Sequence, residues 1–576
     1  MMQVFRVSCA ILCTSWVLCA HAAGKPELDL VLANGRVVDG SGAPWFRGDV
    51  GIRGDRIAAV GDLSRSSTAR RIEMGNRMVA PGFIDLLGQS ERHVLVDNRV
   101  ESKIRQGITT EITGEGASIA PLNELTLSRW KPFLEHFHLK VNWTDLAGYF
   151  KRFEATRSTI NLGTFVGAAQ VRSIVLGLDD VQPSAAQLAE MEKLTEAAMK
   201  QGARGVSTAL IYQPGSYAKT PELIALAKVA ARYGGVYASH IRDEAEGEMQ
   251  ALDEAIAIGR EARIPVEIWH LKVSGKANWG KMKDVVARIE RARAEGIDIA
   301  ANMYPYEASA NDLSSNVPDW AHAGGLDRMI ERFRDPPQRT KIKSQLWHGG
   351  LGDESAERIL LASSVSPAVK KYLGKRLSNV AAEMGKSPED ALLDLIELAH
   401  TRIGVIRFTM SEDDVQLGLR QPWVSLGIDA GGQAVDGPFA GDLTHPRAFG
   451  SATRLLGRYA RDLHLFSVEE AVRKMTSQPA QRLGLYDRGL LRPGMAADVT
   501  VFDPATVRDL ATYEDPLRYS EGIEYVIVNG KVVLDAGKLT RERPGRILKH
   551  QTAKQTVTAI APSISGGTPV SRKLGD

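Results

Sequence analysis

Thr220-Pro221-Glu-Leu-Ile-Ala-Leu-Ala-Lys-Val-Ala-Ala-Arg-Tyr233 runs into Gly234-Gly235 and then into Val236-Tyr-Ala-Ser239-His240. Thr220 can cap a helix, Pro221 suits its first position, and the glycine pair stops it. The four apolar and small residues that follow predict a short buried strand, Val236–Ser239, ending on a histidine. Further along, Met249–Ala262 has helical periodicity and Val266–Trp269 is strand-like. Met282, Val285, Val286 and Ile289 then mark another helix before a strand at Ile297–Met303. Repeats of this length imply right-handed parallel crossovers. Counted outward, the strand candidates are Val79–Leu86, Thr109–Thr113, Thr164–Val166, Gly205–Thr208, Val236–Ser239, Val266–Trp269, Ile297–Met303 and Val424–Ile428. Eight is the number a TIM (β/α)8 barrel requires. A ninth candidate, Val405–Thr409, is assigned to an inserted lid or subdomain around residues 315–420.

The two ends resemble each other. Asp29–Val38 places Asn34-Gly35 between apolar alternating runs, and Tyr525–Val533 does the same with Asn529-Gly530. Asn-Gly between β-branched runs signals a hairpin, because the tight turn needs positive φ at both central residues. Val50–Val60 and Asp498–Phe502 add strands. Neither end can bury a core alone, so residues 28–80 and 487–550 are expected to form one small composite β-sandwich domain. Residues 81–486 would then be the inserted barrel, and 551–576 a flexible tail.

Lys and Arg number 72 against 69 Asp and Glu, a formal charge of +3. No concentrated basic face is visible, so nothing suggests a nucleic-acid partner. Arg6, the apolar run Val7–Cys19 and Ala20-His21-Ala22 follow the three-part pattern of a secretory signal. Residues 1–22 are therefore expected to be cleaved, leaving a periplasmic or secreted chain with no membrane attachment. All three cysteines (Cys9, Cys13 and Cys19) lie in that segment. A mature chain without them has no disulfide, thiol nucleophile or thiolate ligand, so any metal is held by nitrogen and oxygen.

Chemistry in a parallel barrel gathers where strands end. His240 closes the fifth strand, His270 the sixth and Asp429 the eighth. Adjacent strands bring the two histidines within one ion's reach, with Asp429 facing them across the mouth.

These residues resemble the amidohydrolase superfamily, and more closely its N-acyl-D-amino-acid deacylase (D-aminoacylase) branch. The similarity runs through Gly234–Glu244, His270–Gly280, Tyr304-Pro-Tyr306, Thr444-His-Pro-Arg447 and Leu491–Asp498. It covers nearly the whole mature chain and implies a zinc-dependent barrel with a composite β-domain. Two departures stand out. The superfamily carries His-x-His after Gly-Phe-Ile-Asp, whereas Gly82-Phe-Ile-Asp85 is followed here by Leu86-Leu87-Gly88-Gln89. Leucine binds no metal and a neutral Gln oxygen is a poor zinc ligand, so one ion rather than two is expected. The branch also uses a cysteine ligand after strand two, where this chain has Glu111-Ile-Thr-Gly114-Glu115. Glu115 is the expected replacement, and Glu111, lying mid-strand, is the alternative. His240, His270 and Glu115 would leave a fourth zinc position open, as catalytic sites do.

The resemblance implies a metal-activated water, with Asp429 as general base and then acid. Tyr212 could bond the developing oxyanion. Lys272, Tyr304 and Arg447 would hold the carboxylate of an N-acyl amino acid, Arg447 through its planar fork; His445 has no assigned part. The expected reaction is hydrolysis of an N-acyl-D-amino acid to a carboxylate and a D-amino acid. A dipeptidase acting on a C-terminal D-residue would use the same machinery, and a non-catalytic metal- or solute-binding relic is the reading from another class. Hydantoinase-type hydrolysis is disfavoured, because it needs the strand-one histidines and a carbamylated lysine.

Overall fold

The computed structural model describes residues 27–346, 353–441 and 443–550. The expected signal segment and the tail lie outside the described residues. Among those described, no helix is long and apolar enough to cross a membrane.

The opening stretch folds as read, with one change. The helix spans Thr220–Arg232, but Lys219 precedes it as N-cap, and the Thr220 hydroxyl instead donates to Glu254 at 2.8 Å. Gly234, at φ 74°, turns the chain as no side-chain-bearing residue would readily do. The Gly235 N–H then reaches back to the Ala230 carbonyl, and Val236–His240 follows as a fully buried strand.

That strand pairs in parallel with Gly205–Ala209 on one side and Val266–Ile268 on the other. The sheet continues through Ile299–Met303 to Val424–Leu426 at one edge and to Val166–Gly167 at the other. A second parallel sheet contains Phe83–Asp85, Ile108–Thr113 and Asn161–Thr164. The two are joined on both flanks. Leu86 N donates to Leu426 O at 3.3 Å, and Arg204 N donates to Thr164 O at 2.8 Å. Asp85 reinforces the first junction by accepting from Leu87 N and Ile428 N. The continuous-strand expectations at 79–86 and 164–166 are corrected. Each divides, the first at Gly82, whose N–H bonds Asp498 O and where a Cβ would lie 2.2 Å from Thr109 Oγ1.

Both chain ends enter one nine-stranded sheet. Its centre is antiparallel pairing of Met78–Pro81 with Val499–Phe502, and Leu30, Leu32, Val50, Val79, Val499 and Ile527 pack into one apolar cluster. Asn529 and Gly530 form the expected tight turn, at φ 46° and 78°. Asn34-Gly35 does not. Leu28–Val37 is a single strand, irregular between Leu32 and Gly35. The Asn34 N–H bonds Asp49, and Gly35 lies against Val79. A neighbouring strand on each side converts a potential turn into a bulge.

Ser309–Asp312, Ile359–Ser363 and Gly404–Arg407 make a separate antiparallel sheet. Its helices share their own core with it, including Phe333, Leu361, Val380 and Val405. The segment read as an insertion thus begins a few residues earlier than expected, and Val405 belongs to it.

Candidate metal-hydrolase site

Glu115 sits in a turn flanked by Gly114 (φ 97°) and Gly116 (φ 64°), where an added Cβ would meet backbone or neighbouring strands. The turn points the carboxylate at the ends of the parallel strands Val236–His240 and Val266–Ile268. Glu115 Oε1 is 2.9 Å from His240 Nδ1 and 3.0 Å from His270 Nε2, and the imidazole centroids are 4.3 Å apart. One ligand atom from each lies within 4.8 Å of the others. Burial opposes the charge on Glu115, yet bonds from the two imidazoles hold its carboxyl well below the ordinary carboxylate range. Burial and the Lys272 ammonium oppose protonation of His270, but Glu244 and Glu115 push it up to about 9.

Two nitrogens and an anionic oxygen fit zinc, and the protons now shared within this cluster are those a dication displaces. Tetrahedral ligands about 2.1 Å from an ion stand roughly 3.4 Å apart, close to the spacing seen. Glu111 lies elsewhere. It accepts from Ser90 N and faces Lys103 beneath the site.

Asp429 has a left-handed backbone (φ 53°), as does His270 (φ 37°). Non-glycine residues in that region cluster at functional sites. The Asp429 N–H is tied to Leu87 O at 2.6 Å. One carboxylate oxygen meets Arg447 Nη2 at 2.9 Å, and the other accepts from Gln89 Nε2 at 3.0 Å. Arg447 stacks 4.5 Å from the Tyr304 ring centre. Its Nε and Nη1 and the Tyr304 hydroxyl are buried without a partner. Burial pushes the phenols of Tyr304 and Tyr212 well above their usual value, so both stay protonated donors. Tyr212 lies edge-on to His240, 5.3 Å between centroids.

His445, which the sequence left without a part, accepts from Arg447 N at 3.0 Å through Nδ1 and donates to Ala308 O through Nε2. It fixes where Arg447 begins. Lys272 is placed differently from expectation. Its ammonium bonds Glu244 and lies 2.7 Å from His270 Nδ1, and is 5.9 Å from the Tyr304 ring centre.

Two contributors, Glu244 and Arg407, were not singled out from sequence, and a third, Gln89, was read there only as a poor ligand. Glu244 Oε1 reaches His270 Nδ1 at 3.1 Å. Burial disfavours its charge, but Lys272 and both histidines hold it far below the ordinary range. Gln89 Nε2 also donates to Glu115 Oε2 at 2.6 Å. Arg407, 3 % exposed, arrives from the inserted sheet. The residues after it are pinned to the mouth: Thr409 O accepts from Gly275 N and Trp279 Nε1, and Met410 N donates to Glu307 O. Burial lowers the Arg407 guanidinium to about 9, against the pull of Tyr212 and Glu244.

A model of the amidohydrolase family matches residues 364–534. N-acyl-D-glutamate deacylase of Alcaligenes xylosoxydans xylosoxydans is 37% identical over 532 residues, 92% of this chain and 98% of the relative. The crystal structure of N-acyl-D-glutamate deacylase from Bordetella bronchiseptica, complexed with zinc and a phosphonate mimic of the tetrahedral intermediate, superposes with a TM-score of 0.77 at 34% identity. That alignment covers 91% of this chain and 99% of the other. A D-aminoacylase structure, studied for the role of its binuclear metal centre, also gives 0.77, at 36% identity over 91% and 100%. This chain belongs to the amidohydrolases, in the branch that contains these N-acyl-D-amino-acid deacylases.

Proposed function

We propose that this chain is a zinc-dependent deacylase that hydrolyses N-acyl-D-amino acids to a carboxylate and a D-amino acid. The observation that carries the reading is the set of buried donors without a partner, Tyr304 hydroxyl and Arg447 Nε and Nη1, next to Asp429 and the Glu115–His240–His270 cluster. Buried donors of this kind ask for an acceptor, and a guanidinium beside a phenol matches a substrate carboxylate. The same reading takes the two joined parallel sheets as arcs of one (β/α)8 barrel, with residues 28–80 and 487–550 as the composite domain.

Glu115, His240 and His270 would hold one zinc ion. When bound, that ion would supply Lewis acidity at the scissile carbonyl and towards a water. Asp429 takes a proton from the attacking water as its oxygen adds to the acyl carbon. It returns that proton to the amine as the C–N bond breaks. Tyr212 donates to the oxygen that gains charge. Arg447 and Tyr304 hold the amino acid's carboxylate, while Lys272 orders Glu244 and adds positive charge on that side. Glu244 accepts from His270 Nδ1, the outer carboxylate that fixes a ligating imidazole.

Zinc analysis of the purified chain, followed by a panel of N-acyl-D-amino acids, their L-enantiomers and dipeptides with a C-terminal D-residue, tests the proposal. We expect D-selective release from acyl substrates, and a drop of about 10²–10⁴-fold in kcat for Asp429→Asn with zinc retained. Release from the dipeptides alone would make it a dipeptidase. No release despite bound zinc would make it a binding relic. Export rests on the leader pattern at residues 1–22 and is checked by the mass of the mature chain.

A further inference from the structure

Gln89 stands where the superfamily pattern has the second histidine of His-x-His, and its side chain is engaged in a definite way. The backbone is fixed on both sides, Gln89 N donating to Ala430 O at 3.3 Å and Gln89 O meeting His93 Nδ1 at 3.0 Å. From this mount Nε2 reaches Glu115 Oε2 at 2.6 Å and Asp429 Oδ1 at 3.0 Å. A carboxamide nitrogen carries two hydrogens, one for each carboxylate. Glu115 Oε1, the oxygen facing the two imidazoles, is left free of Gln89.

We propose that the Gln89 carboxamide takes the place of a second cation: it bridges Glu115 and Asp429 with hydrogen atoms and limits the centre to one ion. This inference rests on the zinc reading above. Two convergent carboxylate oxygens are what a bridging cation would otherwise bind. Here both are satisfied by a neutral group that cannot leave. Leu87, at the other histidine position, offers no ligand and is fully buried among Ile84, Phe165 and Trp269.

Charge points the same way. Around the cluster, Glu115, Glu244 and Asp429 face Lys272, Arg407 and Arg447, so their formal charges cancel. One dication leaves an excess of two positive charges, which an anionic substrate reduces. A second would double that excess in a buried place, and burying unbalanced charge is strongly unfavourable. Gln89 is thus a positioning residue: it links Asp429 and Glu115 at a fixed spacing without adding charge.

Equilibrium dialysis against buffered zinc, with metal counted per chain, tests this, and cobalt absorption titration gives an independent count. Wild type should saturate at one ion even at a hundredfold excess. Gln89→Glu keeps the length but replaces the donor by an acceptor. It should take a second ion at a zinc concentration at least tenfold below any at which wild type does. The pair Leu87→His with Gln89→His should do the same. Two ions in wild type, or one ion in both variants, overturns the inference and leaves the deacylase standing. No zinc in wild type overturns the zinc reading and this inference with it.

Discussion

Glu115 and Arg447 show what single side chains contribute. Glu115 is one of three ligand candidates carried by three different strand ends, and it lies where the branch carries a cysteine. A thiolate can serve the same place as a carboxylate, whereas a methyl group cannot. Glu115→Cys should therefore retain one zinc after dialysis, and Glu115→Ala should lose it, as read by metal analysis. Equal retention by both would remove Glu115 from the ligand set. Arg447 carries a planar fork, with Nη2 on Asp429 and two further nitrogens buried without a partner. Lysine has no such fork. Arg447→Lys should raise KM for an N-acyl-D-amino acid about tenfold or more, one charge-assisted bond at roughly 1.5–3 kcal/mol. An unchanged KM would show that the carboxylate binds elsewhere.

Elements matter because the parallel strands meet over a buried polar knot. Lys103 Nζ bonds Asp85 at 2.6 Å and faces Glu111 at 3.8 Å, all with no exposure. Burial pushes the Glu111 carboxyl up to about 7, Lys103 opposing and the Asp85 charge assisting. The folded chain therefore keeps that proton at pH values where the unfolded chain, near 4.5, has released it. The folded state binds the extra proton between those values, so the stability contributed by Glu111 falls as pH rises from about 4.5 to 7. Glu111→Gln keeps an acceptor for Ser90 N and removes the titration. Its stability relative to wild type, measured by denaturant at pH 5 and pH 7, should improve at the higher pH. A constant difference would refute the shift.

Part of this arrangement is legible in the sequence. Punctuated helices and short apolar strands located His240, His270 and Asp429, because alternation of elements fixes which residues fall at strand ends. Glu115 over Glu111 followed from the same logic. Asn34-Gly35 misled because turn chemistry is local, while the second strand that captured it comes from elsewhere. Glu244 looked like one more charged residue in a loop, and Arg407 lay in an excursion whose return path no periodicity reveals. Gln89 was legible as a poor ligand but not as a donor, since donation depends on loop geometry. His445 had no reading until Ala308 and the Arg447 amide appeared on its two nitrogens.

At the scale of the molecule, the cluster joins three strand ends, so an ion bound there ties distant parts of the chain. Binding to the folded state alone stabilises it by about 4 kcal/mol at a thousandfold excess over Kd. Zinc should therefore raise Tm in scanning calorimetry and a chelator should lower it. A Tm indifferent to both would mean that the cluster holds no ion.

The nine-stranded sheet has a consequence for how the chain is made. One edge of Met78–Pro81 pairs with Leu28–Val37, but the other finds its partner only in Val499–Phe502, near the other end of the sequence. During synthesis the early strands wait, with an open edge, until almost everything else has emerged. Contacts so distant along the chain form late, and an open edge invites pairing with other chains. The sheet is therefore the last part to close, and the nascent chain stays incomplete until its final strands arrive.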